Sequence, residues 1–432
     1  MHIIVDLVIL ISTILLGIPV PFCFMAAALY MGLVYFPDFS FLMTVGFRGL
    51  NSLTLLSIPF FIMAGALMGS AGIAEKLTNF ANSMLGRIRG GMGAATIVAC
   101  AIFGAISGTA SSAVACIGTI MIPRLEELGY PRNYSTAMVS CAAVLGQLIP
   151  PSVPMILYGW VTQQSVAACF LSTVVPGILT MSLFCVINYF MCKKFPNLQV
   201  GEKVSKKQRN QEIFVATKRG FWSLLMPFII LGGIYGGVTT PTESAAVAVV
   251  YAVIVGFFIH KELTMENLND ALHNSATTSG VIILMLFFVT ILGRLYTMQR
   301  VPMLVADFLL GVSDNKFVIL FMVNIFLIII GMLMDDLSGT MLVAPLLMPL
   351  MLKIGVHPIH FAILGTNLGL GNVTPPTAPI LYLGGRIGGV NIDEYIKPAL
   401  IFMIFGSIPI VLLTTYVPEL SLFLPRLIMG IK

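Results

Sequence analysis

Two stretches of this chain gather hydroxyls and glycine inside otherwise apolar sequence, the second with two carboxylates. The first is Ser107-Gly108-Thr109-Ala110-Ser111-Ser112. Its hydroxyls are oxygen donors, and its glycine permits backbone angles closed to other residues. The second is Asp335-Asp336-Leu337-Ser338-Gly339-Thr340, with Gly365-Thr366-Asn367 and Gly371-Asn372-Val373-Thr374-Pro375-Pro376 beyond it. Hard cations such as Na⁺ want oxygen ligands, including carbonyls freed where a helix unwinds. Asp335 and Asp336 end the apolar run 317–334. A carboxylate in hydrocarbon is expensive, and a bound cation offsets that cost. Other readings stand beside this one. Small hydroxyl residues also serve close helix packing, and an Asp at the end of a span can cap the next helix.

Other chemistry finds little support. No Walker A motif is present, and no Ser or Cys sits in a nucleophile motif with a matched His and Asp. The five histidines form no HExxH pattern, and the seven cysteines form no CxxC pair. The cysteines read as small helix residues. Energy for any transport must come from an ion gradient, the membrane potential or a partner.

The elements that position these residues follow from composition. Of 432 residues, 58% are hydrophobic and only 9% charged. A soluble domain carries about 25% charged residues, so a soluble enzyme or nucleic-acid module is excluded. A membrane helix needs roughly 20 apolar residues, which allows about 10–13 spans. The runs 224–234 and 317–334 are continuously apolar, whereas barrel strands alternate. The chain therefore reads as an all-α polytopic membrane protein. Eight of its 23 Lys and Arg fall between Lys193 and Arg219. The positive-inside rule places that linker in the cytoplasm, although such a cluster also suits acidic lipid headgroups. The N-terminus, MHIIVDLVILIS, lacks a basic leader region and reads as a retained first helix.

The linker, 193–219, separates two hydrophobic halves, 1–192 and 220–432, and the halves repeat. The first reads SGT at 107–109, MIPRLEELGYP at 121–131 and IPPSVPMILYGW at 149–160. The second reads SGT at 338–340, LMPLMLKIGVHP at 347–358 and TPPTAPILYLGG at 374–385. In hydrocarbon every backbone N–H and C=O needs an internal partner, so broken helices survive only against protein or a water-filled cavity. Paired interruptions in two halves point to a transport site near the midplane. The expected architecture is two inverted repeats with the SGT segments at matching tips of re-entrant hairpins. The hairpins lie near 100–128 and 331–354, with second arms over 110–128 and 341–354. Helices over 133–148 and 359–372 should break at the Pro-Pro pairs. Further spans are expected over 3–19, 21–37, 50–71, 93–106, 155–192, 221–239, 242–260, 277–297, 316–334 and 396–417.

Several features read as structural. Thr240-Pro241-Thr242-Glu243 fits a capping box. Gly65-x-x-x-Gly69 is a small-residue packing motif. Arg294, Arg300 and Arg386 could meet an anion, but such arginines more often reach out to the interface.

Six segments carry a family resemblance. They are IPFFIMAGALM (58–68), FGAISGTASSAVACIGTIMIPRLEELGY (103–130), LIPPSVPMILYG (148–159), TPTESAAVAVVYA (240–252), GMLMDD (331–336) and NVTPPTAPIL (372–381). Their order and spacing over the whole chain resemble the large membrane subunit of the TRAP (tripartite ATP-independent periplasmic) transporters. The resemblance implies a Na⁺-driven secondary transporter in a bacterial inner membrane, importing an organic acid such as sialic acid or a C4-dicarboxylate. It implies a scaffold and a mobile, elevator-type transport domain with two helical hairpins. It also implies two partners, a small four-helix membrane subunit and a soluble periplasmic binding protein. Because the chain starts directly with the large-subunit pattern, the small subunit is expected as a separate chain.

Carried over residue by residue, the resemblance sets Ser107, Thr109, Ser112, Gly146 and Pro150 beside one Na⁺. It sets Asp335, Ser338, Gly371 and Thr374 beside another. Substrate is expected between the tips, facing Ser111, Asn367 and Thr377. The family pattern has a single Asp where this chain has Asp335 and Asp336, so which carboxylate meets the ion stays open. A standalone Na⁺/anion symporter and a channel are the alternatives. Copurification of a four-helix subunit argues against the first, and Na⁺-independent flux linear in substrate favours the second.

Overall fold

A computed structural model describes residues 2–36, 38, 40–85, 89–199 and 206–431. Part of the basic linker, 200–205, lies outside the described residues. Among the described residues all regular structure is helical. Eight helices among the described residues are long and apolar enough to cross a membrane, or nine if the bent pair Arg132–Leu148 and Val153–Thr162 forms one span. The outer helix faces carry large apolar side chains, among them Phe47, Phe228, Phe258 and Phe308, each more than two-thirds exposed. That surface is what a helix needs against lipid, not against water.

The first half runs α1 (His2–Leu15), α2 (Val20–Tyr35), α3 (Phe41–Leu50), α4 (Leu53–Ser70) and α5 (Ile73–Leu85). Then come α6 (Gly91–Ser107), α7 (Ala110–Glu127), α8 (Arg132–Ala143), α9 (Leu145–Leu148), α10 (Val153–Thr162) and α11 (Val166–Cys192). The second half runs α12 (Lys206–Tyr235), α13 (Pro241–Ile254), α14 (Met265–Met298), α15 (Val301–Val312), α16 (Lys316–Leu333) and α17 (Asp336–Lys353). It ends with α18 (Pro358–Phe361), α19 (Leu364–Asn372), α20 (Pro379–Gly388), α21 (Ile392–Phe402), α22 (Ile408–Tyr416) and α23 (Glu419–Met429).

The repeat is visible as a constant displacement. The start of α7 at 110 and of α17 at 336 differ by 226 residues, as do α10 at 153 and α20 at 379, and α11 at 166 and α21 at 392. At each hairpin tip one helix stops and the next is capped. Gly108 closes α6 in a left-handed turn, φ +70°, and Thr109 caps α7. Such a turn suits glycine because it lacks a Cβ. Met334 closes α16 in extended backbone, and Asp335 caps α17.

This register corrects one expectation. Thr109 corresponds to Asp335, and both precede their prolines, Pro123 and Pro349, by the same number of residues. The first SGT lies at the tip, but the second lies within the opening turns of α17, so the two SGT segments are not equivalent. The second arm begins at Asp336 and not near 341, because the Asp335 cap starts the helix earlier. The span expected over 155–192 is two helices, α10 and α11, turned at Gln163 with φ 56°. The expected capping box is present: the Thr240 amide donates to Glu243 Oε2 at 2.7 Å, and the Glu243 amide to Thr240 Oγ1 at 3.3 Å.

The halves interlock. Helix α10 packs on α17, and α20 packs on α7 and α8, so each broken helix lies against the other repeat's hairpin. Helix α4 packs on α13 and α14, and α2 on α14, as a separate layer. Within each repeat the hairpin meets its broken helix through facing glycines. A Cβ at Gly104 of α6 would overlap Gly146 Cα. A Cβ at Gly371 of α19 would lie 2.6 Å from both Gly331 Cα and Ile328 O on α16. Close backbone approach through small residues is the usual basis of helix packing in lipid.

Gly371→Ala is expected to destabilise the protein by about 1–3 kcal/mol, the range for overpacking. Gly232→Ala on α12, where a Cβ meets nothing within 4 Å, should leave stability unchanged. Melting of the purified protein in detergent checks both; equal midpoints for the two variants would contradict the clamp.

Candidate functional site

The two tips are built alike from different residues. In the first, Thr109 Oγ1 accepts from the Ser112 amide at 3.3 Å and donates to Ser112 Oγ at 2.9 Å. In the second, Asp335 Oδ2 accepts from the Leu337 amide at 3.3 Å, and the Ser338 hydroxyl donates to Asp335 Oδ1. Each is an N-cap whose third helical residue is a serine turned back on the cap. A hydroxyl suffices at one tip, whereas the other carries a carboxylate.

Both tips are stitched to the breaks. The Val153 amide, at the start of α10, donates to Gly108 O at 3.0 Å. The Asn372 amide, with its nitrogen turned toward the tip, reaches Gly331 O at 3.0 Å and Met334 O at 3.1 Å. Asn372 thereby occupies two carbonyls that the end of α16 leaves without helical partners. Each tip also rests on the layer of α4 and α14. A Cβ at Gly65 of α4 would lie 2.8 Å from Ser107 Cβ, and one at Gly69 would lie 3.1 Å from Cys116 Sγ. The Gly65-x-x-x-Gly69 motif therefore packs α4 against the first hairpin. On the other side Ser338 Oγ lies 2.7 Å from Met285 Sδ of α14.

The residues singled out by sequence fall as follows. Ser107, Gly146 and Pro150 are buried, Thr109 nearly so, and Ser112 is half-buried. Gly146 sits beneath the first tip, where an added Cβ would lie 2.9 Å from Thr109 O. Ser111 is exposed beside that tip. Ser338 and Gly371 are buried, and Asp335 and Thr374 are half-buried. Thr374 donates to Leu370 O at 2.6 Å, which occupies its hydroxyl proton but leaves its lone pairs. Thr377 is half-buried with a fully buried hydroxyl oxygen. Asn367, one turn before Gly371 on α19, lines a small cavity with Asn324, His360 and Thr415, and its side-chain oxygen is buried without a hydrogen-bond partner. Arg294, Arg300 and Arg386 are exposed.

Four buried oxygens near the breaks and tips have no hydrogen-bond partner: Ser107 Oγ, Ser152 Oγ, Thr340 Oγ1 and Thr377 Oγ1. A buried polar atom left unpaired costs about 1–3 kcal/mol, so each such atom needs a reason. Oxygen lone pairs of this kind, with a nearby carboxylate, fit a hard monovalent cation. Among the described residues no ion pair reaches Asp335 or Asp336. Sequence reasoning passed over Gln147, and it quoted Asn372 within the second stretch without giving it a role. Their signal was slight: each is one amide following a glycine inside a buried run.

Comparison with known proteins fits this architecture. The model of the family described as "Tripartite ATP-independent periplasmic transporter, DctM component" matches residues 7–420. The sialic acid TRAP transporter large permease protein SiaM of Vibrio cholerae is 33% identical over 416 residues, 96% of each chain. The C4-dicarboxylate TRAP transporter large permease protein DctM of Pseudomonas aeruginosa is 33% identical over 376 residues, 86% of each chain. The isethionate TRAP transporter permease protein DctMQ of Oleidesulfovibrio alaskensis is 39% identical over 381 residues, 88% of this chain; the match spans 59% of that relative's length. The crystal structure of the Alcanivorax borkumensis YdaH transporter shares the fold, with TM-score 0.62 at 12% identity over 89% of each chain. A multi-pass helical chain with paired hairpins and broken helices, matched from residue 7 to residue 420, belongs to the DctM component family of the tripartite ATP-independent periplasmic transporters.

Proposed function

We propose that the chain is the large membrane subunit of a Na⁺-driven importer of a small organic anion in a bacterial inner membrane. The observation that carries this reading is the pair of oxygen-rich hairpin tips, Thr109–Ser112 and Asp335–Ser338, set against two broken helices with unpaired hydroxyls around them. One Na⁺ takes oxygens from Ser107, Thr109, Ser112 and the backbone at Gly146 and Pro150. A second takes oxygens from Asp335, Ser338, Thr374 and the backbone at Gly371. Two cations near the midplane supply the positive potential that an anionic substrate needs. Ser111 and Thr377 face that substrate; Asn367, lining its own cavity, is a weaker candidate. The relatives are named for isethionate, sialic acid and C4-dicarboxylates. Their shared chemistry is a small organic acid carrying carboxylate or sulfonate, and this chain takes a member of that class.

The movement proposed is an elevator. The unit of α6–α10 and α16–α20 is held together by its crossed packing and travels against α4, α13 and α14. The two halves are inverted repeats, each crossing the membrane an odd number of times, with the basic linker in the cytoplasm. The thin glycine contact of α4 on Ser107 suits a surface that slides. The partners are a small four-helix membrane subunit and a periplasmic binding protein that captures the acid. The tips offer hydroxyls and backbone, which suit weak, releasable binding, so capture falls to the soluble partner. Its docking biases the transport unit toward the outward-open state.

Asp335→Asn keeps the shape of the cap and removes its charge. Uptake in proteoliposomes should fall about tenfold or more, as when about 1.4 kcal/mol of coupling is lost. Unchanged Na⁺ dependence in this variant would rule out Asp335 as an ion ligand.

The chain reconstituted alone should not take up free organic acid at micromolar concentration. Adding the small subunit and the binding protein should restore saturable, Na⁺-dependent uptake. Saturable uptake by the chain alone would replace this reading with a standalone symporter.

A further inference from the structure

Gly146-Gln147 of the first broken helix and Gly371-Asn372 of the second stand at matching places, each followed by its Pro-Pro pair. The two amides do different work. Asn372 stays within its own repeat, on the carbonyls at the end of α16. Gln147, one methylene longer, crosses to the other repeat. With its amide oriented to satisfy both ends, its nitrogen lies 2.6 Å from Asp336 Oδ2 and its oxygen 3.2 Å from the Gly369 amide. Gly369 has no side chain in the way; a Cβ there would overlap the Gln147 amide oxygen. The side chains at both ends of this bridge are nearly buried, Gln147 at 1% and Asp336 at 7% exposure.

The direction of the bridge follows from chemistry. A backbone N–H only donates, so the Gln147 oxygen must face Gly369 and its nitrogen must face Asp336. Asp336 Oδ2 is then the acceptor of a charge-assisted bond, stronger than a neutral one. The neighbouring carboxylate is held otherwise, by Ser338 and Leu337 of its own helix. The two adjacent carboxylates are thus held from different repeats.

We propose that Gln147 is a positioning residue, and that its bridge to Asp336 and Gly369 couples the two hairpin sites. Asp335 is left to meet the cation, and Asp336 serves as the tether. On the Na⁺ reading above, an ion that orders the first break also fixes the second tip, so the two ions bind cooperatively. The tether runs between discrete packed elements, which is what energetic coupling between sites requires.

The test exchanges donor and acceptor. Gln147→Glu alone sets two carboxylates against each other. Gln147→Glu with Asp336→Asn restores every bond, because the introduced carboxylate accepts from both the new amide and the Gly369 N–H. The purified full-length chain in detergent is melted in K⁺, and radiolabelled Na⁺ binding is measured. Gln147→Glu should lower the melting midpoint or fail to fold, and the exchanged pair should recover it. Gln147→Ala should reduce the Na⁺ Hill coefficient from about 2 toward about 1, the range open to two sites. The exchanged pair should bind Na⁺ cooperatively again. An exchanged pair no better than Gln147→Glu overturns the tether, as does a Gln147→Ala chain with wild-type cooperativity. If the wild type binds no Na⁺, the ion reading fails. The melting midpoints in K⁺ then decide the tether alone, upheld by recovery and overturned without it.

Discussion

A backbone that breaks inside a membrane must find partners for the groups it frees, and in this protein that requirement organises everything around the site. Hydrocarbon offers none, so each freed N–H or C=O has to meet protein, a bound ion or a water-filled cavity. The Val153 amide goes to Gly108 O, and the Asn372 amide goes to Gly331 O and Met334 O. Thr109 and Asp335 cap the helices that restart. These bonds need the hairpin and the broken helix to lie closer than side chains allow. Gly104 against Gly146 and Gly331 against Gly371 supply that closeness.

The same closeness leaves oxygens for other work. Once backbone donors are spent on caps and stitches, hydroxyls such as Ser107 Oγ and Thr377 Oγ1 remain buried with nothing to meet. An enclosed carboxylate intensifies the demand, because a charge in low dielectric attracts a counter-charge far more strongly than in water. On the Na⁺ reading proposed above, a site poor in side-chain donors and rich in lone pairs would hold a small cation without trapping it permanently. Reversible binding of that kind is what coupling a gradient to a cargo needs.

The repeats are bound by exchange. Helix α10 serves the second hairpin and α20 serves the first, so the two sites cannot move apart without unpacking both breaks. The layer of α4, α13 and α14 meets this unit through small and apolar groups, among them Gly65 on Ser107, Gly69 on Cys116 and Met285 on Ser338. None of these contacts is an ion pair.

Much of this was written in the sequence. Low charge and unbroken apolar runs determine a polytopic helical membrane protein, because lipid penalises exposed polar groups wherever they fall. The Thr240–Glu243 box and the Pro-Pro breaks were legible because caps and prolines act through near neighbours. The repeat was legible too, but its register was not. SGT at 107–109 and 338–340 matched as letters, whereas the folded tips equate Thr109 with Asp335. A cap is defined by where a helix restarts, and two unlike oxygen-bearing residues can do that equally well. Only the tertiary structure revealed Gln147 beside Asp336, Asn367 sharing a cavity with Asn324 and Gly65 beneath Ser107. Those contacts join residues tens to hundreds of positions apart, and no local pattern encodes a meeting that packing alone brings about.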